Sequence, residues 1–570
     1  MENIINITDF MSDIKSGDDV TSAVFDAMLK CKSVKNPVLV FPKGVHHFWP
    51  DKAFEKYYFI SNNDHGLKRI AFPVIGMENL TIYGGGSEFM FHGRMTPFVI
   101  DNSRNITIKN LSIDYGRPFF SQGEIVAAGQ EYVDIKISKE EYPYKVAKDN
   151  IIFYSHNWES YRLFNLLEYD PKTGAPAHTI GDEHMRNREV SVEELPGNVV
   201  RFKSKFRKIH NPGNIMAILH EERLNPGIFS DASENISIEK VTIYHVGAMG
   251  GIFQNTKDVT IKNLDIKLRE GTKRMVSAGA DAMHFVNCLG KIYIDGCTFQ
   301  NQFDDPLNVH GIYTTISRII SEDTIEVEYM HFQQTGIRIY HPGDNINFID
   351  RTSLLSYDSA KIKEVIIVNQ KFTRIVFEKP LPGSVKIGDA IENVSRMPDL
   401  IVRNCRAGNN RARGFLITTP GNVLIENNIF YPGGAAIKIS GDANYWFESG
   451  AVRNVTIRGN TFKDCNYGGW GKATIDIDPE IKNPEESNGF YHSNIRIEEN
   501  TFETFDNALL WAHSVDGLSF RNNNIKTTQT YKPFRNVKAS VCLNACRNVD
   551  LSGNIIDGKI ITSFDEVKPL

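Results

Sequence analysis

The sequence is short of cysteine: seven residues are spread over a chain of 570. Only Cys542 and Cys546 lie near one another, and no C-x2-C spacing of the kind that binds zinc is present. The odd number and the scatter favour buried thiols over a disulfide framework. We therefore expect neither a cysteine-based metal site nor a fold that depends on disulfides.

Long hydrophobic runs and excess positive charge are also missing. The apolar stretches, such as "VLVF" at 38–41, fall far short of the roughly 20 residues that span a bilayer. Lys and Arg number 64 and Asp and Glu number 69, a formal net charge of -5. This balance disfavours nucleic acid and anionic membranes as partners. The first ten residues, "MENIINITDF", contain neither the basic nor the apolar segment of an export signal.

What the chain does contain is a recurring phrase: a polar residue, alternating apolar positions, an Asn or Gly, and a second short alternating segment. Clear copies are "NITIKNLSI" from Asn105, "NISIEKVTI" from Asn235, "NVLIENNIF" from Asn422 and "NIRIEENTF" from Asn494. Uninterrupted copies begin about 23 to 40 residues apart, as in solenoids. The period-two alternation indicates short strands. The repeat predicts an all-β fold, a right-handed parallel β-helix.

Asparagine recurs where the first strand of a copy ends. Asn adopts the left-handed backbone conformation of a tight corner more readily than most residues. We expect this conformation at Asn404, Asn427, Asn460, Asn500 and Asn523.

An N-terminal helix is predicted by "SGDDVTSAVFDAMLKCKSVKNPVLVFPKG". Asp18 and Asp19 provide a capping signal, and a strand with a Pro-Lys-Gly turn follows. The helix would cover the open end of the solenoid. The apolar residues at helical spacing are Val20, Val24, Phe25, Met28 and Leu29.

Two stretches, residues 117–225 and 312–395, interrupt the repeat. Both alternate at period two between Gly, Asp and Pro turns, which predicts a small antiparallel β-barrel or sandwich inserted at each place. Insertions on one face of a solenoid usually wall a binding site. The remaining segments would form the N-terminal, middle and C-terminal parts of the β-helix: residues 1–116, 226–311 and 396–570.

Two adjacent aspartates, Asp304 and Asp305, stand in the apolar setting of "NQFDDPLNVH". Asp281 in "SAGADAMHF" precedes Asp304 by 23 residues, about one turn of the predicted solenoid. Stacked strands lie about 4.8 Å apart, so the three carboxyls would be close together. Such crowding keeps one group protonated near neutral pH, as a general acid requires. This pattern suits glycoside hydrolysis by a pair of carboxyl groups. A turn capped by the Asp pair is the structural alternative.

A second cluster, "GGAAIKISGDANYWFESG", offers a cation, two acids and a flat ring that suit the hydroxyls and the apolar face of a sugar. A core position or a contact with an inserted barrel is the alternative for its tryptophan. One coil earlier, Arg413 could bind a hydroxyl or steady a catalytic carboxylate, or lie on the surface beside Arg411. The candidate substrate-binding residues are Arg413, Lys438, Asp442, Trp446 and Glu448.

Metal binding is the competing use of clustered carboxylates. Calcium would suit them and would point to a polysaccharide lyase, but no D-x-D-x-D-G loop is present. His284 and His310 flank the acids without partners at metal spacing, which favours packing or supporting roles. We therefore expect no metal ligand among the candidate residues.

The linked "GADAMHF" and "NQFDDPLNVHG" segments, the helical opening, the "SGDANYWFESG" segment and the paired insertions resemble glycoside hydrolase family 110, the bacterial α-1,3-galactosidases. The resemblance covers nearly the whole chain and is most specific in the 23-residue interval. It implies a β-helix with two β-barrel insertions that releases terminal α-1,3-linked galactose, typically from blood group B structures, with inversion and without a metal or other cofactor. It also implies that Asp304 and Asp305 are the catalytic acids and Asp281 an essential neighbour. One of the pair would be the acid, and the other, with Asp281, would hold the water.

The implied partner is an oligosaccharide with terminal α-galactose, and the implied location is the periplasm, the cell surface or the exterior of a bacterium. The oligomeric state is open, with a homodimer as one option. Two other functions fit the sequence. One is a polygalacturonase-like hydrolase, which "NQFDDPLNVHG" also resembles although the Gly-His-Gly of that group is missing. The other is a non-catalytic carbohydrate-binding solenoid.

Overall fold

The computed structural model describes residues 3–12, 15–482, 489–535 and 539–561. Successive coils of the chain stack through parallel strand pairs into three long sheets, and their inward side chains form one continuous apolar core. Strand Asn422–Glu426 is typical, because Val423 and Ile425 are buried between more exposed neighbours. The right-handed parallel β-helix with an N-terminal helix and two insertions is confirmed.

Each of the three parallel sheets is named here by its strands. Sheet A contains His65–Ile75, Thr96–Asp101, Ile228–Asp231, Gly251–Gln254, Met283–Val286, Leu307–Ser321, Phe415–Ile417, Ile437–Ile439, Ile475–Ile477, Leu510–Arg521 and Val541–Asp550. Sheet B contains Asn3–Asn6, Pro37–Val40, Thr81–Phe91, Arg104–Tyr115, Glu234–Ile243, Lys257–Lys262, Leu289–Asp295, Asp399–Arg403, Asn422–Glu426, Asn454–Arg458 and His492–Glu498. Sheet C contains Val45–Phe48, Asp265–Ile266, Thr298–Gln300, Arg406–Gly408, Ile429–Tyr431, Thr461–Lys463, Thr501–Thr504, Asn524–Thr527 and Ile555–Ile556.

Several strands bend from one sheet into the next or pair outside the parallel ladders. Thr81–Phe91, Arg104–Tyr115 and Glu234–Ile243 continue from sheet B into sheet C, and Leu510–Arg521 and Val541–Asp550 continue from sheet A into sheet B. Three further strands pair antiparallel with these sheets: Phe54–Phe59, Glu448–Ser449 and Lys559–Ile560.

The asparagines at the corners have two different roles. Asn404 and Asn427 have positive φ angles of 56° each, as expected. The expectation is wrong for three others, because the residues before them, Gly459, Glu499 and Asn522, adopt the left-handed conformation instead. Those three are buried and belong to a ladder of stacked asparagines: Asn428, Asn460, Asn500, Asn523 and Asn554. In this ladder the side-chain oxygen of one asparagine accepts the main-chain N–H of the asparagine one coil before it.

The N-terminal helix runs from Thr21 to Lys32 and packs on the first coil. Oδ1 of Asp19 accepts the N–H of Thr21 at 2.9 Å, which stabilises the helix start. Val24 and Met28 face the core as predicted, but Leu29 is exposed because the buried stripe continues through Ala27 and Cys31. Short 3-10 turns, Ile7–Phe10 and Pro50–Lys52, flank this region. None of the helices in the described residues is long and apolar enough to cross a bilayer.

The first insertion is antiparallel and has its own apolar core. Eight strands form one sheet: Phe120–Ala128, Tyr132–Ile137, Asn165–Asp170, Ala175–Pro176, Asp182–His184, Ser191–Leu195, Val199–Lys203 and Ile215–Leu219. A small second sheet contains Tyr144–Ala147, Asn150–Ser155 and Trp158–Ser160.

The second insertion is a closed six-stranded antiparallel barrel around another apolar core. Its first strand is the continuation of the sheet A strand Leu307–Ser321, so the β-helix and the barrel share a rigid element. A 3-10 turn, Phe332–Gln334, leads out of the barrel toward the β-helix. The other barrel strands, in chain order, are Thr324–Glu328, Asn345–Ile349, Ser356–Ile367, Phe372–Phe377 and Ala390–Asn393.

Most of the cysteines are buried, as the sequence predicted, and Cys542 and Cys546 are partly buried. Five are buried thiols: Cys31, Cys288, Cys297, Cys405 and Cys465. Burial raises the pKa of the Cys288 thiol to about 12, so it stays protonated at neutral pH.

Candidate active site

The candidate residues converge on the loops that lead into sheet A. Asp281 lies just before strand Met283–Val286, and Asp304 and Asp305 lie just before Leu307–Ser321. These two strands pair in parallel register, so their loops stack. A pocket of about 160 Å³ opens there. All eight residues selected from the sequence line it: Asp281, Asp304, Asp305, Arg413, Lys438, Asp442, Trp446 and Glu448.

The strand register places Asp281 next to Asp305. Met283 pairs with Leu307, an offset of 24 residues, one more than the interval between Asp281 and Asp304. Accordingly, the N–H of Asp305 points to Oδ1 of Asp281 at 3.3 Å. The three carboxyls together offer oxygens that lie within 4.8 Å of one another. The stacking of coils therefore forms the cluster that the repeat predicted.

Three arginines surround the aspartates. Asp304 accepts a hydrogen bond from Arg223 at 2.6 Å, and Arg411 lies 3.7 Å from the same oxygen. Asp305 accepts the N–H of Arg413 at 2.9 Å and its guanidinium at 2.6 Å. In the described residues, the hydrogen bonds that the carboxylates of Asp304 and Asp305 accept thus come from arginines rather than from N–H groups of their own turn. Of the three possibilities considered for Arg413, the structure shows the contact with a carboxylate.

Burial and these charges separate the pKa values of the three aspartates. Burial raises the pKa of Asp305 to about 8, with the carboxylates of Asp304 and Asp281 adding to the rise against Arg413. Burial and the charge of Asp304 raise the pKa of Asp281 to about 7. Burial also opposes the charge on Asp304, but the nearby Arg411 and Arg223 outweigh it and lower the pKa. At neutral pH the cluster therefore holds a proton beside an ionised Asp304, the combination that acid–base catalysis needs.

Glu448 lies in the pocket wall where the β-helix meets the second insertion. Its strand, Glu448–Ser449, pairs with the barrel-forming strand at Ile312. Oε1 accepts a hydrogen bond from Asn62 at 3.0 Å and lies 3.5 Å from Nδ2 of Asn308 and from Nε2 of His310. The carboxylate is therefore fixed and faces the pocket.

Lys438, Asp442 and Trp446 form the other side of the pocket. Nζ of Lys438 lies 3.3 Å from Asp476, one coil further along sheet A. The carboxylate of Asp442 accepts the main-chain N–H groups of residues 444–446, so it supports the loop as well as lining the pocket. Trp446 is 37% exposed, so a core position does not describe it, but its ring does contact His331 of the second insertion, 4.7 Å away between centroids.

Sequence reasoning missed Arg223 and Asn62. Arg223 follows the first insertion, and besides Asp304 it donates to the carbonyl of Asn62 at 2.9 Å. Asn62 lies in the turn between the antiparallel strands Phe54–Phe59 and His65–Ile75. These contacts span 81 residues to Asp304 and 386 residues to Glu448, so no local motif could reveal them.

Only one group of acidic, histidine or cysteine side chains in the described ranges has a spacing that could hold a metal ion: Asp281, Asp304 and Asp305. Calcium takes six to eight oxygen ligands. Two of these carboxylates already contact guanidinium groups at 2.6 Å, and a cation would be repelled by those charges. The donor set suits a shared proton better than a metal.

Family models match both insertions and the C-terminal coils. GLAA-B beta-barrel domain I matches residues 121–216, and GLAA-B beta-barrel domain II matches residues 324–391. The right handed beta helix region matches residues 391–564.

Curated relatives align over nearly the whole chain. Alpha-1,3-galactosidase B of Bacteroides thetaiotaomicron is 35% identical, and the alignment covers 99% of this chain and 93% of the relative. Alpha-1,3-galactosidase A of Shewanella woodyi is also 35% identical, with 100% and 95% covered. Among solved structures, a hyperthermoactive exopolygalacturonase from Thermotoga maritima is similar with a TM-score of 0.43 and 12% identity, covering 100% of this chain and 95% of that one.

Proposed function

The chain belongs to the α-1,3-galactosidase family, and we propose on this premise that it releases terminal α-1,3-linked galactose from oligosaccharides of the blood group B type. The observation that carries the proposal is the cluster of Asp281, Asp304 and Asp305 at the base of a pocket. Hydrolysis of a glycosidic bond needs a proton for the leaving oxygen and a carboxylate for water or for the sugar. The cluster contains both protonation states at neutral pH.

The three aspartates act as one unit in this mechanism. One carboxyl protonates the leaving oxygen, and the others orient the water that attacks the anomeric carbon. An inverting pair is usually about 6.5–9.5 Å apart. The nearest oxygens of the trio lie within 4.8 Å, so the water of an inverting reaction would bind to outer oxygens of the cluster. Arg413 and Arg223 hold Asp305 and Asp304 in position through their 2.6 Å contacts.

The size of the pocket favours removal of a terminal sugar. Its volume of about 160 Å³ is below the roughly 300–1,000 Å³ of sites for drug-sized ligands. A groove that holds a polysaccharide on both sides of the cut would need more room. We therefore propose exo-action, with the galactose inside the pocket and the rest of the glycan outside.

The charges of the pocket support a neutral sugar. Beyond the catalytic trio, the lining contains the acids Asp442, Glu448 and Glu480. Of its cations, Arg223 and Arg413 are paired with Asp304 and Asp305, and Lys438 lies near Asp476. A galacturonic acid unit would bring a further negative charge to this acidic wall, which disfavours the polygalacturonase-like alternative. A galactose brings hydroxyl groups, which carboxylates and Lys438 can bind.

Galactose release tests the proposal. The protein would be incubated with oligosaccharides that end in α-1,3-linked galactose and with polygalacturonate, each with and without EDTA. We expect galactose from the first substrates at a rate that EDTA does not change. Proton NMR of the first product should show β-galactose. Activity only on polygalacturonate, loss of activity with EDTA, or initial α-galactose would contradict the substrate, the metal-independent mechanism or the inversion, respectively.

A further inference from the structure

Aromatic side chains collect at the mouth of the pocket. His331 and Phe332 come from the second insertion, and Tyr445 and Trp446 come from the β-helix loop that Asp442 supports. The His331 ring lies 4.7 Å from both the Phe332 and the Trp446 rings, centroid to centroid. The Tyr445 ring stands perpendicular to that of Trp446 at 5.3 Å. These four residues form one contiguous surface, here called the rim wall.

The rim wall is unusually exposed for its composition. Phe332 is 63% exposed, Tyr445 is 64% exposed and Trp446 is 37% exposed. Single exposed apolar residues are common, but a contiguous cluster usually marks a binding surface. His331 is buried behind them and connects the rings from the two segments.

Hydrogen bonds hold the two segments of the wall together. Nε2 of Gln334 donates to the carbonyl of Trp446 at 2.8 Å, which ties the 3-10 turn to the loop. On the other side of the turn, Gln333 accepts the N–H of Asn62 at 3.0 Å and donates to the carbonyl of Asn63 at 3.0 Å. The wall is thus fixed before any ligand arrives, which lowers the entropy that binding costs.

The position of the wall relates it to the reaction. Trp446 lines the pocket, so the rim wall continues the pocket wall outward. A galactose in this small pocket leaves the remainder of the glycan at the mouth, in reach of Phe332 and Tyr445. Aromatic rings bind sugars through the C–H faces of the pyranose, and this contact tolerates different hydroxyl patterns.

We propose that the rim wall binds the saccharide on the reducing side of the cleaved bond, through stacking on Phe332, Tyr445 and Trp446. The inference rests on the proposed galactosidase function and adds the part of the substrate that stays outside the pocket. Sugar units beyond the first one after the cleaved linkage then contribute to affinity. The second insertion thereby takes part in substrate selection, although it supplies none of the three aspartates.

Two substrates with the same scissile bond test this inference. The disaccharide Galα1-3Gal would be compared with the trisaccharide that carries N-acetylglucosamine at its reducing end. We expect the protein to cleave the trisaccharide with a kcat/KM at least tenfold higher. Phe332→Ala and Tyr445→Ala should each reduce that ratio at least threefold, mainly through KM. The inhibition constant of free galactose, which needs only the pocket, should stay unchanged.

Tyr154→Ala is the matched control, because Tyr154 is 38% exposed on the first insertion and does not line the pocket. The ratio of the kcat/KM values for the two substrates should be the same in this variant as in the unchanged protein. If both substrates are cleaved but Phe332→Ala and Tyr445→Ala leave the ratio of their kcat/KM values unchanged, the inference is overturned and the proposed function is not. A rim variant that dissociates an oligomer without altering the ratio would assign the wall to a subunit interface and would also overturn it. Absence of galactose release from both of these linear substrates and from a fucosylated blood group B oligosaccharide would overturn the proposed function and the inference together.

Discussion

Oδ2 of Asp281 lies 2.6 Å from Nδ1 of His284, and a chain of hydrogen bonds behind this contact determines where the proton lies. Nε2 of His284 faces Nε2 of His310 at 2.9 Å, and Nδ1 of His310 lies 2.7 Å from the carbonyl oxygen of Gly311. A carbonyl can only accept, so His310 carries a proton on Nδ1. Nε2 of a neutral His310 then accepts, and His284 must donate to it.

With its proton on Nε2, a neutral His284 presents a lone pair to Asp281. The short contact between them then requires a proton on the carboxyl of Asp281. Burial acts in the same direction, because it raises the pKa of Asp281 to about 7 and lowers the pKa of His284 to about 4. The two imidazoles thus keep Asp281 in its acid form near neutral pH.

Replacing each aspartate of the cluster by asparagine should abolish most of the activity without unfolding the protein. Asp281→Asn, Asp304→Asn and Asp305→Asn keep the side-chain shape but remove the groups that donate and accept the proton. We expect kcat on α-1,3-galactosyl substrates to fall at least about 1,000-fold in each, with unchanged circular dichroism and thermal midpoint within a few degrees.

Asp231→Asn is the control for the aspartate series. Burial raises the pKa of Asp231 to about 6, but its strand lies two coils before the cluster and outside the pocket. This variant should keep its activity. Full activity in both Asp304→Asn and Asp305→Asn would exclude the aspartates as the catalytic groups.

The pH dependence of kcat/KM should have its alkaline limb near neutrality rather than near pH 4. The raised pKa values of Asp281, about 7, and Asp305, about 8, mean that the cluster retains its proton up to that range. Above it the proton is lost, and kcat/KM should fall about tenfold per pH unit. Because the groups interact, the limb reports the cluster rather than one residue.

Arg413→Gln tests the charge behind this limb. The Arg413 guanidinium stabilises the ionised form of Asp305, so its removal should raise the pKa further and move the limb to higher pH. Arg413→Lys keeps the positive charge and should move it less. An alkaline limb that lies at the same pH in Arg413→Gln and Arg413→Lys would contradict the assigned role of Arg413.

The fold was predictable because its physical cause is repeated in the sequence. Each coil contains the same alternation of buried and exposed positions, and the copies reinforce one another. The corner asparagines show the limit of this reasoning, since Asn460, Asn500 and Asn523 form a buried ladder instead of the left-handed corners. A turn and a ladder both favour asparagine, and only the position relative to the neighbouring coil separates them.

The candidate site was predictable only where it follows the coil spacing. Asp281 and Asp305 meet because consecutive coils stack. Arg223 and Phe332 belong to the segments that the two insertions bring to the pocket, where contacts depend on how a whole domain folds back. Phe332 in particular is an ordinary apolar residue in the sequence, and its proposed role depends on its exposure and on its contact with His331, which in turn contacts Trp446.

Glu392→Gln should stabilise the protein at alkaline pH. Glu392 is buried on the last strand of the second insertion, and burial raises its pKa from 4.5 to about 7 against the opposing charge of Arg453. Between pH 4.5 and about pH 7 the folded state binds more protons than the unfolded chain, so the free energy of unfolding falls as the pH rises. The variant lacks this loss, which amounts to at most about 3 kcal/mol.

Thermal unfolding at pH 5 and pH 8 measures the effect of Glu392→Gln. The variant should match the unchanged protein at pH 5 and melt at a higher temperature at pH 8. Glu378→Gln, which alters an exposed residue paired with Lys361, should show no such pH-dependent gain. Equal melting temperatures of Glu392→Gln and the unchanged protein at pH 8 would mean that Glu392 is already satisfied as an anion.

Asn500→Ala should destabilise the C-terminal coils of the β-helix. Oδ1 of Asn500 accepts the main-chain N–H of Asn460 at 2.9 Å, and its Nδ2 donates to Oδ1 of Asn523 and to the carbonyl of Ile457, each at 3.0 Å. The alanine leaves buried groups in both neighbouring coils without partners, at a cost of about 2–4 kcal/mol. Amide hydrogen exchange should accelerate in strands Asn454–Arg458 and His492–Glu498. Asn524→Ala, a change at the half-buried first residue of strand Asn524–Thr527, should leave the exchange rates unchanged, and equal exchange in the two variants would refute the ladder as a stabilising element.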